Sequence, residues 1–158
     1  MARGHREPKT RRRHGGRSYG RNDNAVVLEL AGELERSLHR SNKEWNDVSK
    51  ASDLIVSLVP GTASLDVAGT VAQAIRSTGK NALFLEANAI SPARAQEIAA
   101  LVIEAGGGCV DGGVIGAASQ LTKGTFTVLS GPRANELETL GSLGLAVEVV
   151  GDKVGQAS

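Results

Sequence analysis

Short aliphatic runs alternate along the chain with longer segments in which apolar residues recur three and four positions apart. Aliphatic runs that end at Gly, Pro or a polar residue predict β-strands, and the three-to-four spacing predicts α-helices. The predicted strands cover residues 25–30, 54–59, 82–86, 109–110, 126–129 and 145–150. The predicted helices cover residues 32–52, 62–78, 92–105 and 133–142, and the periodicity is weakest in the first.

Two predicted helices carry recognisable capping residues. Gly79 stands where a C-cap is expected after residues 62–78, and Ser91-Pro92 have the residue types of an N-cap and a first helical position. Strands that alternate with helices of this length imply βαβ crossovers, and hence a parallel sheet with helices on both faces. The sequence therefore predicts an α/β fold.

Four segments between residues 53 and 132 are the most informative about function. They read D-L-I-V-S-L-V-P, L-F-L-E-A-N-A-I-S-P, C-V-D-G-G-V-I-G-A and G-T-F-T-V-L-S-G-P. Three of them run from apolar residues directly into a small, polar or Gly- and Pro-rich turn. Ligands of open parallel sheets bind at the carboxyl ends of strands, so we expect a crevice for a small molecule or a cofactor at these turns.

The net charge of +1 is divided unevenly along the 158 residues. Residues 1–24 contain eight Lys or Arg, two Asp or Glu and almost no aliphatic residues, so burial cannot order them and we predict a disordered basic tail. Residues 25–158 are predicted to form one partial domain. One interpretation is that the tail is a solvated segment, or sequence read from a misplaced start. The other is that Arg11, Arg12 and Arg13 contact the phosphates of a nucleic acid. The acidic body disfavours nucleic acid as a partner.

Composition limits the other classes of function. A single cysteine, Cys109, excludes an internal disulfide, and no apolar run follows the basic N-terminus as it would in a secretory signal. We therefore expect a cytoplasmic location and no membrane partner. His5, His14 and His39 lack metal-ligand spacing, and no G-x-S-x-G sequence is present. Neither a metal site nor a serine nucleophile is predicted.

Four motifs occur in a defined order: S-L-V-P at 57–60, E-A-N-A-I-S-P at 86–92, D-G-G-V-I-G-A at 111–117 and G-T-F-T at 124–127. In this order and spacing they resemble the cofactor-binding domain of the β-hydroxyacid dehydrogenases, which include 6-phosphogluconate and 3-hydroxyisobutyrate dehydrogenases. The resemblance covers residues 53 to 158. It implies a Rossmann-like sheet, an NAD or NADP cofactor and, in a full-length parent, oxidation of a small hydroxy acid by hydride transfer.

The resemblance also assigns residues to the cofactor. It implies that Leu58, Val59 and Pro60 pass beside the cofactor and that Asn88 hydrogen-bonds the nicotinamide ribose. The residues alone leave simpler interpretations open, in which Pro60 ends a strand and Asn88 belongs to a helix-entry loop. Glu29 is a further candidate for the acidic residue that binds the adenine ribose, provided that residues 25–30 are the second strand of the sheet.

Substrate contacts are implied for the loop formed by Gly113, Val114, Ile115 and Gly116. Ile115 stands where the family has a substrate-contacting serine, so a hydroxyl donor is lost and the substrate class is open. The glycines either let backbone N–H groups approach an anion or only permit a tight turn. Asp111 is interpreted as a residue that holds its loop in place rather than one that acts on substrate.

Two parts of the family's machinery are not found in the sequence. No G-x-G-x-x-G turn follows a strand, so the N-terminal βα unit of the Rossmann-like sheet is expected to be incomplete. The family's general acid/base, a lysine, and its C-terminal helical domain would lie beyond residue 158, so no catalytic residue is assigned. We therefore expect a cofactor half-site that is truncated at both ends and does not catalyse a reaction by itself. The alternative is a non-catalytic binding or assembly remnant with a polyanion-contacting tail.

Overall fold

The computed structural model describes residues 25–28, 42–116 and 124–158. Its strands are β1 Ala25–Leu28, β2 Leu54–Ser57, β3 Leu83–Glu86, β4 Gly108–Ile115, β5 Phe126–Ser130 and β6 Ala146–Gly151. Its α-helices are α1 Asn42–Ala51, α2 Ser64–Thr78 and α3 Pro92–Glu104, and two 3-10 segments cover Gly61–Ala63 and Ala134–Leu143. The predicted α/β, Rossmann-like fold is confirmed. The predicted basic tail, residues 1–24, lies outside the described residues, and its boundary with the domain stays a prediction.

Both predicted helix caps are present. Gly79 ends α2 with a φ of 68°, and its N–H donates to the Ile75 carbonyl at 2.9 Å. Glycine adopts this left-handed conformation without steric cost. Ser91 precedes Pro92 at the start of α3, and the Ser91 hydroxyl accepts the Arg94 N–H at 3.3 Å. The caps determine where α2 stops before β3 and where α3 begins after it.

The six strands form one sheet in the order β1-β2-β3-β4-β5-β6. β1 to β4 are parallel to one another, as predicted, and β6 is parallel to β5. β4 and β5 instead pair antiparallel, which departs from a fully parallel sheet. The reason is chain length, because only residues 116–125 connect these strands and a parallel crossover needs a dozen residues or more.

The predicted helix at residues 133–142 is a 3-10 segment, Ala134–Leu143. Its leucines, Leu137, Leu140 and Leu143, are spaced three apart, which matches the three residues of a 3-10 turn. Gly144 then ends the segment with a φ of 88°. The short, regular spacing therefore favours the tighter helix over an α-helix at this position.

Two apolar clusters cover the two faces of the sheet, as predicted. On one face Ile55, Phe84 and Cys109 pack against side chains from α1, α2 and α3. On the other face Leu85 and Leu129 pack against the Ala134–Leu143 segment. Strand order follows chain order from β1 to β4, so right-handed crossovers place all three α-helices on the same face.

The position of β1 bears on the adenine-ribose hypothesis. In a Rossmann sheet of order 3-2-1-4-5-6, the strand beside the fourth is the first. With β2 in the fourth position, a second strand would be separated from β2 by the first strand. β1 instead pairs directly with β2, with Ala25 opposite Leu54. This pairing counts against residues 25–30 as a second strand, and Glu29 itself lies outside the described residues.

No helix within residues 25–28, 42–116 and 124–158 has the length and apolar character needed to cross a membrane. The cytoplasmic location stays a prediction.

Candidate functional site

A row of buried polar residues crosses the sheet at the level of the carboxyl ends of β2 and β3. Ser57 lies opposite Glu86 in the register of β2 and β3, and Glu86 lies opposite Asp111 in the register of β3 and β4. Asp111 in turn pairs with Ser130 of β5. All four side chains are at most 1% exposed. Residues paired in register point to the same face of a sheet, so these polar groups form one continuous line.

Asn88 connects the loops that follow β2 and β3. Its Nδ2 donates to the Ser57 hydroxyl at 2.9 Å and also to Glu86 Oε1, while its Oδ1 accepts the backbone N–H of Val59. The Asn88 N–H also donates to Glu86 Oε1, at 3.2 Å. We call these four hydrogen bonds the Asn88 clamp. Because Asn88 is 29 positions from Val59 in sequence, one side chain holds two distant loops together.

Glu86 is the least satisfied member of the row. Its Oε1 takes both Asn88 donors, whereas its Oε2 is buried without a hydrogen-bond partner among the described residues. Burial, with a smaller contribution from the charge of Asp111, raises the pKa of this carboxyl group to about 7, although the Asn88 hydrogen bonds act to lower it. The carboxyl group therefore changes its charge near neutral pH.

Asp111 holds the C-terminal segment against the sheet. Its Oδ2 accepts the N–H groups of Gly155, Ala157 and Ser158 at 3.0, 3.1 and 3.1 Å. The Ser130 hydroxyl donates to the same oxygen at 3.1 Å, and the Ser158 hydroxyl donates to Oδ1. Asp111 is therefore a structural residue, as interpreted from the sequence, although it holds residues 155–158 rather than its own loop.

An open cleft of about 500 Å³ lies beside the clamp at the same edge of the sheet. Its lining residues are Gly61, Thr62, Ala89, Ile90, Ser91 and Arg94. A Cβ at Gly61 would lie 2.8 Å from the Ala89 carbonyl oxygen. Only a glycine at this position allows the loops after β2 and β3 to approach so closely.

The residues assigned to the cofactor meet at this edge, but their side chains differ in exposure and in free hydrogen-bonding capacity. Leu58 is 38% exposed and Pro60 is also exposed, so their surfaces are available to a ligand. Val59 is buried in the core below α2 and α3. Both Nδ2 hydrogens of Asn88 are used within the clamp, which leaves part of Oδ1 as its free hydrogen-bonding capacity.

The residues assigned to the substrate do not form the loop that the sequence predicted. β4 continues from Gly108 through Ile115, and Gly113 and Val114 pair with Val128 and Thr127 of β5. A Cβ at Gly113 would lie 2.5 Å from the Ala157 carbonyl oxygen. Glycine is therefore required there for packing against the C-terminal segment, and the predicted short strand followed by a tight turn is wrong. Gly116 follows the strand with a φ of 126°.

The sequence analysis gave no role to Ser57, Glu86 and Ser130. A signal was present, because each is the polar residue that closes an apolar strand: L-I-V-S, L-F-L-E and F-T-V-L-S. In the parallel strands β2 and β3 the closing residues Ser57 and Glu86 lie opposite each other, whereas Ser130 joins the row through the antiparallel pairing of β5 with Asp111. No group of three or more metal-ligating side chains occurs in the part of the chain that the structure describes.

Comparison with known proteins identifies the family. The model of the NAD binding domain of 6-phosphogluconate dehydrogenase matches residues 18–151. An uncharacterized 28.5 kDa protein of Methanothermus fervidus is 31% identical over 116 residues, which cover 73% of this chain and 42% of that protein. The chain therefore spans less than half of this relative.

Solved structures agree with this assignment. A conserved hypothetical protein of Sinorhizobium meliloti is 29% identical with a TM-score of 0.64, and the match covers 72% of this chain and 37% of that one. An imine reductase of Myxococcus stipitatus in complex with NADP+ is 27% identical with a TM-score of 0.55, over 72% and 40% of the chains. A variant of that enzyme has been solved with NAD+. The chain belongs to the family of the NAD-binding domain of 6-phosphogluconate dehydrogenase, whose cofactor is NAD or NADP.

Proposed function

We propose that residues 57–61 and 86–94 form the nicotinamide-facing part of an NAD(P) site in an oxidoreductase. The observation that carries the proposal is the Asn88 clamp, which joins two loops at the carboxyl ends of parallel strands, where the ligands of such sheets bind. We call Leu58, Val59, Pro60 and Asn88 the cofactor wall.

The residues of this edge fit such a cofactor. The cleft beside the cofactor wall has room for a ring and its carboxamide, and the Gly61 backbone leaves no side chain between the two loops. Leu58 and Pro60 offer apolar surface against which a ring can pack. Ser91 and Arg94, at the start of α3, supply polar groups to the lining of the cleft. When bound, the nicotinamide ring supplies or accepts the hydride.

Proton transfer is assigned to a group outside the described residues. Asp111 lies on β4, the strand that also contains the residues assigned to the substrate. Its two carboxylate oxygens accept five hydrogen bonds from residues 130–158. A general acid or base must reach the reacting atom within hydrogen-bond distance, and Asp111 is committed elsewhere. The roles left to this chain are to bind the cofactor, orient its ring and exclude water from one side of it.

The proposed substrate is a small hydroxy acid, or the keto acid formed from it, held in a full-length protein. A second candidate, an imine, is favoured by the apolar surface at the end of β4, where Val114 is 45% and Ile115 is 58% exposed. Such surface offers no donor to a carboxylate. The Myxococcus imine reductase, a structural relative, adds support to this second candidate.

Titration of the chain with NADH and NADPH, followed by cofactor fluorescence, tests the proposal. We expect saturable binding by the wild type and weaker binding by Asn88→Ala, because the truncation releases both loops. Asn81→Ala is the matched control, because Asn81 is exposed, precedes the amino end of β3 and accepts a hydrogen bond from Arg133 at 3.0 Å. Absence of saturation up to about 1 mM cofactor, an affinity of about 4 kcal/mol, would contradict the proposal and support a non-catalytic remnant.

A further inference from the structure

The buried side chain of Glu86 is only partly hydrogen-bonded. It is fully buried, yet Oε2 has no hydrogen-bond partner in the described part of the chain. A buried carboxylate oxygen without a donor is costly, because water no longer compensates its charge. Asn88 donates both hydrogen bonds that Oε1 accepts, so a change in the charge of Glu86 acts directly on Asn88.

The hydrogen bonds that the Glu86 side chain makes in the described part of the chain all lead to Asn88 of the cofactor wall. Oε1 accepts the Asn88 side-chain and backbone donors. The remaining atoms of the Asn88 amide contact Ser57 and the N–H of Val59. Glu86 therefore does not touch the exposed surface of the wall, and it acts on that surface through Asn88.

The charge of Glu86 determines how strongly it holds Asn88. Hydrogen bonds to an ionised carboxylate are roughly twice as strong as those to a neutral acid. Loss of the proton therefore tightens the Asn88 clamp, while burial opposes that loss. Asp111, on β4, is the titratable group whose charge acts on Glu86. Cys109, on the same strand, is affected by the charge of Glu86, and β2 contributes the Ser57 hydroxyl, which contacts Asn88.

We propose that Glu86 is a positioning residue for the cofactor wall: its ionised carboxylate holds Asn88 in the clamped arrangement, and cofactor binding expels the Glu86 proton to the solvent. Only the second half of this inference, the release of the Glu86 proton on cofactor binding, rests on the proposed function. The first half concerns the cofactor-free chain and is tested without cofactor. By linkage, cofactor affinity falls as the pH is lowered, by at most about tenfold per pH unit for one proton.

The clamp is tested by NMR on the cofactor-free chain. The Asn88 side-chain amide and the Val59 N–H should shift with pH around neutrality in the wild type and stay constant in Glu86→Gln, which keeps an acceptor oxygen but cannot ionise. Glu86→Asp should restore the titration, and Glu104→Gln, which changes an exposed residue at the end of α3, should leave it unaltered. Wild-type resonances that stay constant between about pH 5.5 and about pH 8.5 would overturn the inference.

The proton is counted by calorimetric titration with NADPH in two buffers of different ionisation enthalpy. Wild type and Glu86→Asp should release more protons than Glu86→Gln, and the Gln variant subtracts any protons that belong to the cofactor's own phosphate. Equal release by wild type and Glu86→Gln would overturn the inference although binding occurs. Absence of binding by every variant would overturn the proposed function instead, and the NMR titration would still decide whether Glu86 controls the clamp.

Discussion

Glu86 and Asp111 lie opposite each other in the parallel register of β3 and β4, so two carboxyl groups are buried side by side. Their surroundings differ. Asp111 accepts five hydrogen bonds, four of them from residues 155–158, whereas one oxygen of Glu86 has no partner among the described residues. Because the two carboxyl groups are hydrogen-bonded so unequally, substitution of each should have a different consequence, and each consequence can be measured.

The first prediction concerns stability and pH. The pKa of Glu86 is about 7 in the folded chain and 4.5 when unperturbed, chiefly because of burial. Between these values the folded state binds more protons than the unfolded state, so the free energy of unfolding decreases as the pH rises. The stabilisation that protonated Glu86 gives the folded state is fully present below about pH 4.5 and is lost as the pH rises through about 7. The loss is on the order of 3 kcal/mol.

Urea denaturation at a series of pH values measures this contribution. The free energy of unfolding of wild type relative to Glu86→Gln should decrease across the window and level off above it. Glu104→Gln, an exposed substitution on α3, should retain the wild-type dependence. Parallel profiles for wild type and Glu86→Gln would show that Glu86 does not titrate in this range.

The second prediction concerns the C-terminal segment. Asp111→Asn keeps the size of the side chain but places an amide where donors from residues 155–158 converge, so the lost charge-assisted hydrogen bonds should cost about 1.5–3 kcal/mol. Hydrogen exchange at Gly155, Ala157 and Ser158 should accelerate more than exchange in α2. Asp152→Asn, at an exposed position in the same segment, should change neither quantity. Unchanged exchange in Asp111→Asn would rule out this role for the carboxylate.

Much of the fold followed from periodicity and capping residues. The order of strands and helices, the caps at Gly79 and Ser91 and the crevice edge were all predicted from local patterns. Local patterns decide these features, so a single sequence contains enough information for them. The direction of β5 is different, because the predicted strand at 109–110 leaves residues 111–125 free for a parallel crossover, and only the observed extension of β4 to Ile115 makes the connection too short.

The interior of the site was harder to predict. Asn88 was identified as a site residue, but its bonds to Ser57 and Val59 join positions 31 and 29 residues apart. No periodicity within one element encodes such a pairing. Gly113 was assigned to a turn, whereas its lack of a side chain serves packing against Ala157. Both features depend on strand register, and register is known only once the sheet is assembled.

The third prediction compares one substitution at two glycines. Gly61→Ala places a methyl group 2.8 Å from the Ala89 carbonyl oxygen, so the two loops must separate and both stability and cofactor affinity should decrease. Gly69→Ala lies within α2 with nothing inside 4 Å of the new methyl group, and it should stabilise the chain by about 0.5–1 kcal/mol. Thermal unfolding and cofactor titration measure both effects. A destabilised Gly69→Ala, or a Gly61→Ala that binds cofactor as wild type does, would contradict the packing described.

The fourth prediction concerns Cys109. Burial, with smaller contributions from the charges of Glu86 and Asp111, raises the pKa of its thiol to about 12. The thiolate is the reactive species, and the side chain is 1% exposed, so thiol reagents should label the native chain only through unfolding. Labelling followed in increasing urea should therefore track the unfolded fraction, with Cys109→Ser as the unlabelled control. Rapid labelling of the native chain, at the rate of a free thiol, would mean that β4 opens without global unfolding, because Cys109 lies on β4 opposite Phe84 of β3 and is buried in the cluster that the α-helices cover.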